Sequence, residues 1–311
     1  DYDVTGVQTC ALPICALGSL LAARLIEGGL TVQVLQRTGE QLNALLDKGI
    51  TIIGDRTGQD RNFALAAVSD DPSELVESRL IIVLVKSYST ESVNAAQNLL
   101  TKDGVVLTLQ NGLGNIEKLV NCFNEEQLAV GIDTYGAYRI SPGVIGWGGD
   151  GYIVLGPWIK NRNMNWVCEL LKTGGLEVSY VDDPMPAIWR KLAINAMVNT
   201  TAALTHMKNG ELLDYESIVA LMRELGKEAV IAAGRAGIPL DFEEIWKFHL
   251  ENLRRTASNK PSMLQDIEAQ RPTEIEAISG SILQYAKDDK DFPYTRTVYN
   301  LLRAIESKFC A

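Results

Sequence analysis

The chain has 311 residues, 46% of them hydrophobic, and carries 29 basic residues against 39 acidic ones for a formal charge of −10. That length holds one large domain or two ordinary ones, no apolar run reaches the ~18 residues of a membrane helix, and the acidic balance argues against a phosphate backbone as partner. Five cysteines without a Cys-x-x-Cys pair and two histidines far apart disfavour a disulfide framework, a His-based metal site and a Ser-His-Asp triad, and suit reduced thiols in a cytoplasmic protein.

Between residue 16 and about residue 180, short β-branched apolar runs alternate with helical stretches. A helix is expected over residues 18–27, closed by Gly28-Gly29, and a strand over 31–35. Helical texture returns over 40–46, 91–100 and 115–122, with strands over 80–85, 105–109 and 128–131. Runs this short and apolar fit strands buried on both faces of a parallel sheet. Their alternation with helices predicts an α/β Rossmann-type doubly wound domain. Residues 143–148 and 152–155 read as a strand pair closing it. After Asp182-Asp183-Pro184 the texture becomes helical, over 187–203, 217–236, 242–256, 274–288 and 294–308, with breaks at Gly237-Ile238-Pro239, Lys260-Pro261 and Phe292-Pro293. The expectation is a dinucleotide-binding domain over 1–182 and an all-α, substrate-binding domain over 183–311.

A G-x-G-x-x-G turn lets the backbone approach a pyrophosphate at a helix N-terminus. Here Cys15-Ala16-Leu17-Gly18 supplies only the last glycine, and Pro13 and Cys15 stand where the first two belong. Proline offers no N–H, and cysteine puts a side chain where close approach is needed. The strand over 31–35 ends in Gln36-Arg37-Thr38. With no carboxylate adjacent in sequence, Arg37 suits the 2′-phosphate of NADP, and a solvated arginine reads equally well. Lys86 and Gln110-Asn111-Gly112-Leu113-Gly114 each follow a strand, at the carboxyl edge where open α/β sheets bind ligands. Singly they are a surface lysine and an Asn-Gly turn; the shared location favours binding.

In the helical half, Lys191, Asn195 and Asn199 are spaced i, i+4, i+8 and share one helix face. Asn is a poor helix former, and Leu192, Ala193, Ile194, Ala196, Met197 and Val198 make this helix a largely buried one. A lysine and two amides on such a helix favour chemistry over a solvated face. Asn209, in Lys208-Asn209-Gly210-Glu211-Leu212, joins them, as do Ser262-Met263-Leu264-Gln265-Asp266 and Thr273-Glu274-Ile275. Ser262 taken singly is an N-cap, and Glu274 taken singly is an acidic helix start.

From residue 16 onward these pieces, in this order and spacing, resemble the ketopantoate reductase (2-dehydropantoate 2-reductase) family. The resemblance rests on Ala16-Leu17-Gly18, Arg37, Lys86, Asn111-Gly112, Trp189-Arg190-Lys191-Leu192 with Asn195 and Asn199, Asn209-Gly210-Glu211-Leu212, Ser262–Asp266 and Thr273-Glu274-Ile275. It implies NADPH as cofactor and 2-dehydropantoate as the small-molecule substrate, with Lys191 as the general acid. It further implies that Asn195, Asn199, Asn209 and Ser262 hold the substrate alongside Lys191. Ala16, Leu17, Gly18, Arg37, Lys86, Asn111, Ala137 and Glu274 would line the cofactor. Neither nucleic acid nor membrane is expected as a partner, and monomer and homodimer both stay open. Two other functions stay open as well, reduction of a different small 2-oxo acid and non-catalytic NADP sensing. Residues 1–15 depart from the family: residues 4–14 resemble a translated sequencing-adapter fragment standing in place of the first strand and its two glycines. On that reading the chain as written lacks a central strand and binds NADPH weakly.

Overall fold

The computed structural model describes residues 8–12, 15–160 and 162–309. They form two units, each around its own apolar core. One unit runs to Gln110 and resumes over Asn115–Pro184; the other takes Asn111–Gly114 and everything from Met185 onward.

The first unit contains β1 (Gln8–Leu12), α1 (Ala16–Glu27), β2 (Thr31–Leu35), α2 (Glu40–Lys48), β3 (Ile50–Ile53), β4 (Arg61–Phe63), β5 (Ala67–Ser69), β6 (Ser78–Val83), β7 (Leu100–Thr108), α3 (Asn115–Leu119), β8 (Leu128–Asp133), β9 (Gly136–Ser141), β10 (Val144–Gly149), β11 (Ile153–Pro157), α4 (Asn165–Thr173) and β12 (Val178–Tyr180). Eight strands make one sheet, in the order β12-β11-β8-β7-β6-β1-β2-β5, and four make a second, β4-β3-β10-β9. In the large sheet β8 and β11 pair antiparallel, and the other described pairs are parallel. Leu80, Ile81, Ile82 and Val83 of β6 are all buried, which is why the run is apolar without alternation.

Three expectations are corrected here. The strand expected to be missing is present: β1 lies between β2 and β6 and pairs parallel with both, Thr9 standing opposite Val32 and Leu80. Two apolar strands flank a place where N–H and C=O groups need partners, and a segment that extends there completes both ladders. That tertiary demand outweighs weak local propensity. Pro13 and Ile14 lie outside the described residues.

The helix expected over 91–100 is instead part of a 3₁₀ helix, Ser87–Leu99, whose buried residues are Ser87, Thr90, Val93, Ala96 and Leu99. Long 3₁₀ runs are uncommon, but a strict spacing of three forms one stripe at 3.0 residues per turn and spirals off an α-helix. Lastly, residues 143–148 and 152–155 do not pair with each other. β10 joins β9 and β3, whereas β11 joins β8 and β12, the chain changing sheets past Gly149 at φ +127°.

The second unit contains α5 (Met185–Thr205), α6 (Glu216–Arg235), α7 (Phe242–Arg255), α8 (Ser262–Glu268), α9 (Ser281–Leu283) and α10 (Pro293–Glu306). Buried Met222, Leu225, Ala229, Ala232 and Ala233 give α6 its apolar stripe. A side chain at Gly226 would strike Met197 and Phe242, so glycine sets how closely α6 approaches α5. Buried Glu228 of α6 accepts the N–H groups of Tyr294 (3.0 Å) and Thr295 (2.7 Å) at the start of α10. A carboxylate there satisfies two otherwise orphaned donors and suits the positive end of the helix dipole. Among the described residues no helix is long and apolar enough to cross a membrane.

The helix expected over 274–288 is also corrected. It is a π-helical turn, Glu276–Gly280, followed by the short α9. Ser281 N–H bonds to Glu276 O, five residues back. Its α-helical acceptor would be Ala277 O, but that carbonyl takes Leu113 N–H at 2.9 Å and the Ser281 hydroxyl at 2.7 Å. The turn widens because its carbonyl is engaged from outside the helix.

His249 of α7 is fully buried, and among the described residues neither ring nitrogen has a partner. Burial lowers its pKa from 6.5 to about 4. The unfolded chain therefore takes up this proton first as pH falls. Stability linked to His249 is intact above about pH 6.5 and is lost between there and about pH 4, by on the order of 3 kcal/mol. Urea unfolding across that window should show His249→Leu gaining on the wild type as pH drops. A constant difference between the two proteins would contradict the assignment.

Candidate active site

The carboxyl edge of the large sheet carries some of the groups expected to hold a dinucleotide, among them Gly18 and Lys86. α1 begins directly after β1, with Cys15 as its N-cap in extended conformation. Cys15 Sγ accepts Gly18 N–H at 3.4 Å, so a side chain occupies one of the donors that a glycine turn would leave for phosphate. Burial pushes the Cys15 thiol above its ordinary value; the Gly18 N–H and the Lys86 ammonium pull the other way, and the Asp133 carboxylate adds to the rise. Those influences place Cys15 and Lys86, beyond the ends of β1 and β6, near Asp133, the last residue of β8. Ala16 and Leu17 are half-buried and Gly18 is buried. Lys86 is half-buried, and Gln110 donates to Val85 O and to Thr90 Oγ1, both at 2.8 Å. Asp133 holds the next turn by accepting Tyr135 N–H at 2.9 Å. Ala137 lies beyond that turn, in β9 opposite Trp147 of β10.

Arg37 is exposed past the end of β2. The sequence shows no carboxylate beside it, but the fold brings one to its neighbour: the Thr38 hydroxyl donates to Asp70. β2 and β5 pair parallel with Leu35 opposite Ser69, so Asp70 arrives next to the Gln36–Thr38 segment from thirty-two positions away. Neither local periodicity nor a motif marks Asp70, because pairing of β2 with β5 is a tertiary event.

In the helical unit, Lys191, Asn195 and Asn199 occupy successive turns of α5. Lys191 is half-buried, Asn195 is 9% exposed and Asn199 5%. Asn199 Oδ1 accepts both the Ser262 hydroxyl and Met263 N–H at 3.3 Å, which joins the α5 stripe to the start of α8. Asn209 is held from three directions. Its N–H donates to Asn259 O (3.1 Å), Gly210 N–H donates to Ala257 O (3.0 Å), and its Nδ2 donates to Thr256 Oγ1 (2.7 Å). Thr256 spends its own proton on Asn252 O at 2.7 Å, so Asn209 must present Nδ2 to it. Asn209 Oδ1 then faces away, buried and without a partner among the described residues. An acceptor left in that state is suited to a ligand hydroxyl.

Glu274 and Asn111 meet within the same unit, the Asn111 amide donating to Glu274 Oε2 at 3.3 Å. Glu274 is 5% exposed. Asn111 is carried there by a loop docked on the π turn through Leu113 N–H and Ala277 O. Gly112, at φ +82°, makes the docking possible, since a Cβ would overlap the Ala277 carbonyl. The structure thus joins Asn199 with Ser262 and Glu274 with Asn111 in the helical unit, and places Gly18, Arg37, Lys86 and Ala137 in the sheet unit. Sequence reading missed Asp70, Asp133 and Thr256, each of which acts through a partner set by the fold. Among the described residues no group of three or more His, Cys, Asp or Glu side chains could hold a metal ion.

Comparison with known proteins shows the family. Residues 14–160 match the ketopantoate reductase PanE/ApbA family model, and residues 183–306 match the model of its C-terminal domain. The 2-dehydropantoate 2-reductase of Halobacterium salinarum is 31% identical, the match covering 93% of this chain and 95% of that protein. The crystal structure of 2-dehydropantoate 2-reductase from Geobacter metallireducens GS-15 matches at 26% identity and TM-score 0.88, over 96% of this chain and 99% of that one. A ternary structure of D-mandelate dehydrogenase with NADH and anilino(oxo)acetate has the same fold, at 23% identity and TM-score 0.91 over 98% of this chain and 100% of that one.

The Gly112 docking generates a stability test. Gly112→Ala combines a left-handed backbone with overlap at Ala277, and should cost about 2–4 kcal/mol in urea unfolding. A loss below about 0.5 kcal/mol would mean that the loop is not held as described.

Proposed function

Because this chain belongs to the ketopantoate reductase family, we propose that it reduces 2-dehydropantoate to (R)-pantoate with NADPH, on the route to pantothenate and coenzyme A in the cytoplasm. The observation that carries this reading is the α5 stripe. A lysine and two buried amides stand in line, one amide is bonded to Ser262, and Asn209 offers an acceptor with no partner among the described residues. These groups suit a small acid that also carries a hydroxyl.

When bound, the reduced nicotinamide supplies a hydride to the ketone carbon. The carbonyl oxygen then gains the electron pair of the broken π bond, and Lys191 supplies the proton that turns it into an alcohol. An ammonium is the right group there, because it stabilises the developing charge and also carries the proton. Asn195 and Asn199 hold the carboxylate end through their amide N–H groups, Ser262 turns its hydroxyl proton from Asn199 to that carboxylate on binding, and Asn209 accepts from the substrate hydroxyl. The start of α1, with Ala16, Leu17 and Gly18, takes the pyrophosphate. Lys86, Asn111, Ala137 and Glu274 line the remaining length of the cofactor. The β1–α1–β2 order and the carboxyl-edge location of Lys86 support a dinucleotide site. Arg37 is exposed and suited to a 2′-phosphate. Asp70 favours a second reading of the cofactor: a carboxylate beside the end of β2 accepts ribose hydroxyls and suits NADH.

Steady-state oxidation of NADPH and of NADH with 2-dehydropantoate tests both readings. Turnover with NADPH at the higher kcat/KM supports the proposal. Reduction of another 2-oxo acid alone would move the substrate, and tight NADPH binding with no turnover of any 2-oxo acid would leave a sensor. Lys191→Ala should lower kcat by about 10²–10⁴-fold while KM for the cofactor holds. Arg37→Ala should raise KM for NADPH at least about tenfold and leave NADH unaffected, a phosphate contact being lost.

A further inference from the structure

We propose that Glu306 is a positioning residue for the Glu274–Asn111 pair, acting through the backbone of Thr273; the functional consequence rests on the reading that this pair lines the cofactor. Glu306 ends α10 and is only 5% exposed. Its Oε1 accepts Thr273 N–H at 2.6 Å, and its Oε2 lies 3.4 Å from Arg303 Nη1. On its other side Thr273 is fixed again, its hydroxyl accepting Ile275 N–H at 3.1 Å. Glu274, between these two anchors, gives its carboxylate to Asn111 and its backbone O to Ile278 N–H at 3.0 Å.

Stability alone does not account for an acid at this position. A carboxylate at a helix C-terminus faces the negative end of the dipole. Burying it adds a desolvation cost, which an apolar residue of similar size avoids. The return is one short charge-assisted bond to one N–H and an ion pair with Arg303, whose side chain is 56% exposed and so adds little. That N–H lies in the Pro272–Thr273 peptide, one peptide ahead of the one that carries Glu274, so the bond fixes the chain where it enters the Thr273–Glu274 step. Displacing such a group by about 1 Å is enough to cost about 10²-fold in a reaction that depends on it.

Glu306→Asp keeps the charge and shortens the reach by one methylene. Glu306→Gln keeps the reach and an accepting oxygen and removes the charge. Fluorescence titration with NADPH, steady-state kinetics with 2-dehydropantoate and amide exchange at Leu113 and Ile275 should be measured in both, beside the wild type. The expected result is a tenfold or greater rise in NADPH Kd for Glu306→Asp, with KM for the 2-oxo acid within threefold, and both constants within threefold of wild type for Glu306→Gln. The reverse order, equal impairment of both, or no impairment of Glu306→Asp would each overturn the proposal. If the wild type binds NADPH but reduces no 2-oxo acid, the functional reading fails separately. Amide exchange then still decides: Leu113 and Ile275 should exchange at least tenfold faster in Glu306→Asp than in Glu306→Gln, and equal rates would overturn the positioning role.

Discussion

A helix buried on nearly every side must find a partner for each polar group it carries, and α5 is such a helix. Leaving an amide or hydroxyl buried and unpaired costs about 1–3 kcal/mol. Thr200 and Thr201 meet the demand inside the helix, donating to Ala196 O at 2.6 Å and Met197 O at 2.5 Å. Asn199 meets it outside, by accepting from Ser262 and Met263. The start of α8 is therefore set by a side chain of α5, and the polar stripe of α5 is set against a framework that cannot shift independently of it.

The same economy recurs at the joints of the helical unit. Glu228, Asp266, Glu274 and Glu306 are all buried carboxylates. Glu228 and Glu306 bind backbone N–H groups, Asp266 binds Arg271 at 3.2 Å, and Glu274 binds the Asn111 amide. Each acts where the chain leaves regular helix, at the start of α10, after α8 or before the π turn. Helices satisfy their own backbone in the middle and leave groups unsatisfied at their ends. Buried acids at those ends settle the donors and hold the segments that carry the candidate binding groups.

Periodicity made most of the architecture legible. The apolar runs of β2, β6, β7 and β8 and the amphipathic stripes of α6, α7 and α10 follow from burial on one or both faces, and burial leaves its period in the residues themselves. The i, i+4, i+8 set of Lys191, Asn195 and Asn199 was equally visible, since all three lie on one helix. Where the reading failed, a distant partner decided the local form. β1 is a strand because β2 and β6 flank it. Residues 87–99 wind as 3₁₀ because a stripe of every third residue is buried. The Glu276–Gly280 turn is π because Leu113 claims the Ala277 carbonyl.

The sequence by itself determined the class of each half, the helix that carries Lys191, and the family whose motifs the chain shares, because these depend on residue type at fixed short spacings. Only the tertiary structure decided that Asp70 stands beside Thr38, that Asn209 Oδ1 is left without a partner among the described residues, and that Asn111 and Glu274 meet in the helical unit. Those outcomes depend on hydrogen bonds between residues tens to more than a hundred positions apart. A bond of that kind is chosen by what the completed fold brings within reach, and no local pattern encodes it.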